Sequence, residues 1–112
     1  MEKINFSQQA EEIGISLKNL IELYRLFVEQ TDKDIIELNS FITEEDPDKL
    51  RDTAHHIKGA CLNLELNKMV EVAVQMQLKV TEKNWENQRL LLLQFTDLLN
   101  DLKKILHKVE HE

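Results

Sequence analysis

Imidazoles are the groups in this 112-residue chain best suited to chemistry, as nucleophiles, proton carriers or metal ligands. There are four. His55 and His56 stand side by side in "TAHHIKGA", residues 53–60, with Lys58 and Gly59 after them in a stretch of helical periodicity. A glycine in a helix interior costs about 1 kcal/mol relative to alanine, so its place one turn after a histidine needs a reason. His107 and His111 lie in "HKVEH", which matches the H-x-x-E-H pattern of some zinc proteases. They fall in the final turn, where helices fray, and no third ligand follows them, which leaves a pair able to bind zinc only weakly. His55 and His56 point about 100° apart on a helix and are a poor chelating pair. No metal site is expected. The one cysteine, Cys61, cannot form an internal disulfide and lies on an apolar stripe, as a small buried hydrophobe does.

Few breakers interrupt the elements that must position these groups. Two glycines and one proline are too few for a many-stranded β fold, and 42% hydrophobic with 31% charged residues supports a core and a solvated surface. The prediction is an all-α single domain over residues 1–112: an antiparallel four-helix bundle with a short additional N-terminal helix. The first helix runs from about Ser7 to Ile13, with Ser7 as N-cap and Gly14 ending it, and lies as a lid on one end of the bundle. Ser16 caps a long second helix whose stripe is Leu17, Leu20, Ile21, Tyr24, Phe27, Val28, Thr31, Ile35, Leu38 and Ile42. Asp46 before Pro47 starts a third, with Leu50, Ala54, Ile57, Cys61 and Leu64 inward. A tight connection near Glu65 leads to a fourth, carrying Leu66, Met69, Val70, Ala73, Met76 and Val80. Asn84 caps the fifth, with Leu91, Phe95, Leu98, Leu102, Ile105 and Val109 inward. Phe6 and Trp85, near helix starts, read as core or staple residues.

Wheel geometry then places the histidine. The inward residues of the third helix span an arc of about 80°, and His55 lies about 140° from its middle. Asp48, Arg51, Asp52, Gly59 and Leu62 share that outer face, with Lys58 on one flank and His56 on the other. Gly59, one turn on, removes a side chain that would crowd the imidazole. An exposed leucine alone means little, but Leu62 beside a displayed histidine and a bare glycine suggests a docking patch. Gln77 falls on the inward stripe of the fourth helix and needs a hydrogen-bond partner. The ring of a histidine on the adjacent helix, a backbone carbonyl or bundle-edge solvent could each serve.

A formal charge of -7 argues against nucleic acid as a partner and suits protein partners. "MEKINFSQQAEE" contains no signal-like apolar run, and "LLLL" at 90–93 is far short of a membrane span. These features and the lone cysteine point to a cytoplasmic, non-membrane protein. Asn5-Phe6-Ser7 matches a glycosylation acceptor by chance. The starting methionine and intact terminal helices favour a free-standing protein.

"AHHIKGA" resembles the His-x-(Ile/Leu)-Lys-Gly signature of histidine-containing phosphotransfer (Hpt) domains, the intermediates of two-component phosphorelays. The likeness extends over roughly Leu17 to Val80, through the long second helix, the acidic break and the histidine helix, and includes a glutamine 22 positions after His55. The resemblance implies that His55 accepts the phosphoryl group, that Lys58 helps neutralise it, that Gly59 leaves room for it and that Gln77 orients the ring. Arg51, Asp52, His56 and Leu62 would touch the partner. Partners would be response-regulator receiver domains and a sensor histidine kinase, hybrid kinases included, and the protein a monomer. It would bind no cofactor itself, Mg²⁺ being held by the receiver, and would be a phosphoryl carrier rather than an enzyme. Two departures stand out: Glu65 where such families often have glycine, and Ala60 and Cys61 where serine is common. The rival reading is a helical interaction module without phosphotransfer.

Overall fold

The computed structural model describes residues 3–111, so the starting methionine lies outside them. Five α-helices follow one another: α1 (Phe6–Ile13), α2 (Leu17–Thr43), α3 (Pro47–Asn63), α4 (Asn67–Lys79) and α5 (Trp85–Glu110), with a 3₁₀ turn at Val80–Glu82 before the last. Among the described residues there is no strand. Helices α2 to α5 close into a ring, α2 on α3, α3 on α4, α4 on α5 and α5 back on α2. Opposed directions of α2 and α5 follow from their cross-links: Arg25 to Glu110 at 2.7 Å, Asp32 to Lys103 at 2.7 Å and Thr43 to Arg89 at 3.4 Å. At 1.5 Å per residue these two helices set the 43 Å length of the molecule.

Capping side chains start each bundle helix where acceptors occur in the sequence. Ser16 Oγ accepts from Asn19 N at 3.0 Å, Asp46 Oδ1 from Lys49 N at 3.2 Å with Pro47 behind it, and Asn84 Oδ1 from Asn87 N at 3.0 Å. Helix α1 is capped by Asn5, not Ser7: Asn5 Oδ1 accepts from Gln8 N at 3.0 Å. Phe6 is buried edge-on against Tyr24, ring centroids 5.1 Å apart, and that anchor pulls the first turn forward.

Three helix ends use the same Schellman reversal, in which the residue past the cap turns left-handed. Gly14 does so at φ 84°, but Glu45 and Glu65 do so at φ 55° and 57°. At Glu65 the paired bonds are Glu65 N to Leu62 O at 3.1 Å and Leu66 N to Cys61 O at 3.0 Å. The tight connection expected near Glu65 is therefore a left-handed turn, held without glycine.

The five predicted inward residues of α3 are all buried. Leu17, by contrast, is 43% exposed, because the buried stripe of α2 begins one turn later at Leu20. On α5 the core face is centred on Gln88, Leu92, Phe95, Leu99, Leu102 and Leu106, while Leu98, Ile105 and Val109 are half-buried. Contact with both α4 and α2 widens the buried arc and rotates it from the predicted line. Lid helix α1 is tied down through Gln9, whose Nε2 donates to Leu64 O at 3.1 Å while its Oε1 accepts from Tyr24 OH at 2.6 Å. Burial pushes the Tyr24 phenol up, an effect this hydrogen bond opposes.

Candidate functional site

The site sits on the seam between α3 and α4. Leu50, Ala54, Ile57 and Cys61 bury one face of α3, which obliges residues half a turn away to face solvent. His55, His56 and Asp52 are exposed, Leu62 is 52% exposed, and Arg51, Lys58 and Gly59 are half-buried. The reversal at Glu65 folds α4 back along α3 and brings Gln77 level with His55 across 22 residues of sequence. Gln77 Nε2 lies 3.3 Å from His55 Nδ1. Of the three partners open to Gln77 from sequence, the structure places the ring nitrogen beside it.

Which atom donates depends on the tautomer. If the Gln77 NH₂ donates, Nδ1 holds a lone pair and the outer Nε2 carries the proton. Turning the amide over presents Oε1 to an Nδ1–H and leaves the Nε2 lone pair free. Either way Gln77 fixes the ring by its inner nitrogen, so the outer nitrogen faces away from α4.

Long side chains on a helix lean over the turn that precedes them. That tendency puts Arg51 on the side toward which His55 inclines, and His55 on the side toward which Lys58 inclines. Lys58 forms no ion pair among the described residues, so its ammonium is not committed to a carboxylate. Arg51 is committed: its guanidinium donates to Asp48 Oδ1 at 2.9 Å, a contact between a half-buried residue and an exposed one.

Gly59 requires a correction. A β-carbon built there meets nothing within 4 Å, so an alanine would not crowd the imidazole of the free protein. The space around that β-carbon is open, so nothing within this chain excludes a methyl group there.

Gln88 was not singled out from sequence. It is 1% exposed and its Nε2 donates to Met76 O at 3.1 Å, pinning the backbone next to Gln77 from the α5 side. Its spacing ahead of Leu92, Phe95 and Leu99 would have revealed it as an amide on the core line. Cys61 is fully buried, and burial, with Asp34 adding, pushes its thiol up to about 12. His107 and His111 lie with ring centroids 4.3 Å apart, and no group of three or more metal-ligating side chains occurs among the described residues. No helix of the described residues is long and apolar enough to cross a membrane.

No curated protein and no solved structure gives a match. A family model, that of the Hpt domain, matches residues 22–109, a span that holds His55, Lys58, Gly59 and Gln77 and takes in α3, α4 and nearly all of α2 and α5. With an all-helical bundle and a displayed histidine already in view, this match decides the family: the chain belongs to the Hpt domain family.

Proposed function

We propose that the protein accepts a phosphoryl group on His55 from the aspartyl phosphate of a receiver domain and passes it to the aspartate of another. The observation that carries this reading is the 3.3 Å approach of Gln77 to His55 Nδ1, which leaves Nε2 outermost on an exposed face. In the transfer, the Nε2 lone pair forms a P–N bond in line as the P–O bond to the receiver's aspartate breaks, and the carboxylate leaves with the electron pair. Positive charge acquired by the ring is shared with Nδ1–H, which Gln77 Oε1 would accept. The reverse reaction returns the group to a receiver, so no net redox or hydrolytic step is involved.

Phosphoryl transfer asks for little covalent help; positioning and charge neutralisation supply most of it. Lys58, free of any carboxylate among the described residues, would meet the phosphoryl oxygens. Gly59 would leave its open space to the incoming receiver. Mg²⁺ would be held in the receiver's own acidic site. Arg51, Asp52, His56 and Leu62 surround the histidine and would form the partner's footing, with a sensor histidine kinase upstream. On this reading the protein is a carrier without kinase activity, acting as a monomer in the cytoplasm.

The test is transfer from a panel of phosphorylated, Mg²⁺-loaded receiver domains to the wild type and to His55→Gln. Label on the wild type and none on the variant is expected. A folded wild type that takes no label from any receiver would favour the interaction-module reading.

A further inference from the structure

Arg51 lies one turn before His55 on the same outer face of α3, and the imidazole leans back over its turn. Its guanidinium is turned the other way, toward Asp48. We infer that Arg51 is a second phosphoryl ligand held in reserve: Asp48 parks the guanidinium in the unphosphorylated protein, and it swings to the phosphoryl group once His55 carries one. The inference rests on His55 as the acceptor.

One observation and two physical arguments support the exchange. The Arg51–Asp48 contact is a single hydrogen bond of 2.9 Å between side chains 44% and 79% exposed, a kind of pair that contributes little to stability. A phosphoryl group offers three acceptor oxygens and close to two negative charges, against one charge on Asp48, and the guanidinium fork suits such an anion. Finally, the group on Nε2 would stand between Lys58, one turn after the histidine, and Arg51, one turn before it. Lys58 alone supplies one positive charge. Arg51 would supply the other, leaving the phosphorylated face close to neutral when the receiver departs.

The exchange predicts slower spontaneous loss of the phosphoryl group. Imidazole leaves most readily when Nδ1 is protonated, and a nearby guanidinium disfavours that extra positive charge.

Potassium phosphoramidate tests this without a partner. His55 Nε2 forms the P–N bond while the donor's own P–N bond breaks, and nitrogen leaves as ammonia, taking its proton from solvent. Side-chain Nε–H signals of the three arginines would be followed by ¹⁵N NMR, and phosphohistidine by ³¹P NMR, in wild type, Arg51→Gln, Asp48→Asn and His55→Gln proteins. On phosphorylation, the Arg51 signal should move downfield and exchange more slowly, with Arg25 and Arg89 unchanged. Arg51→Gln should lose its phosphoryl group about threefold faster or more, while Asp48→Asn should lose it no faster than wild type. Label on His55 with an unmoved Arg51 signal and an Arg51→Gln decay equal to wild type would overturn this inference alone. A wild type that gives no phosphohistidine beyond that of His55→Gln would overturn the acceptor assignment as well.

Discussion

In a neutral imidazole one nitrogen carries the proton and the other the lone pair, and the Gln77 amide, 3.3 Å from His55 Nδ1, bears on that choice. Gln77→Leu keeps the half-buried packing and removes the amide. Its phosphoryl transfer should fall about tenfold, the worth of one orienting hydrogen bond, and ¹⁵N shifts of His55 should report a mixture of tautomers. A transfer rate equal to wild type would remove Gln77 from the account. Gly59 separates stability from function. Since a β-carbon meets nothing there, Gly59→Ala should stabilise the free protein by up to about 1 kcal/mol, seen in urea unfolding, while bulkier residues such as Gln slow transfer. Faster transfer in Gly59→Gln would contradict a receiver occupying that space. The exposure of His55 follows from 3.6-residue periodicity and was legible in the sequence, as was the need of Gln77 for a partner, but the choice of the His55 ring among three open partners is made by the packing of α4 on α3. What Gly59 does not touch was not, because an empty volume has no sequence signal.

At the scale of the elements, most helix boundaries were readable, at starts with a side-chain acceptor and at the end marked by Gly14. Ser16, Asp46 before Pro47 and Asn84 each carry an acceptor at the boundary, and each caps its helix. At the first helix Asn5 and Ser7 are both good caps two residues apart, and the burial of Phe6 against Tyr24 decides between them, which is a tertiary event. Leu17 likewise continues the spacing of α2 to a turn that the core covers only in part. Reversal into α4 relies on Glu65 at φ 57°, a conformation that costs a non-glycine residue about 1 kcal/mol. Glu65→Gly should therefore raise stability by roughly that amount, a rise of about 4 °C in Tm by calorimetry. A lower Tm would mean that the glutamate side chain contributes more than its backbone costs.

Across the whole molecule, the bundle is closed at the α2–α5 seam, where Arg25 meets Glu110 and Asp32 meets Lys103. The Arg25 guanidinium holds the Glu110 carboxyl below its ordinary value of 4.5. A carboxyl depressed on folding stabilises the fold above its unfolded pKa and loses that contribution as pH falls through the folded one. Glu110→Gln should thus cost a small amount of stability at pH 7, with the gap to wild type closing below pH 4.5 and shrinking in ~1 M salt. A gap that persists in acid would assign the effect to packing. The α2–α5 ion pairs could not be read from sequence, since residues 25 and 110 become neighbours only when the ring of helices closes, whereas the helix count and order could.

The most direct measurement of the central claim is long-range ¹H–¹⁵N–³¹P NMR on the protein phosphorylated by a receiver domain, which identifies the ring and the nitrogen bonded to phosphorus. Phosphorus is expected on Nε2 of His55, with Nδ1 turned to Gln77. Phosphorus on His56, or on Nδ1 of His55, would contradict it.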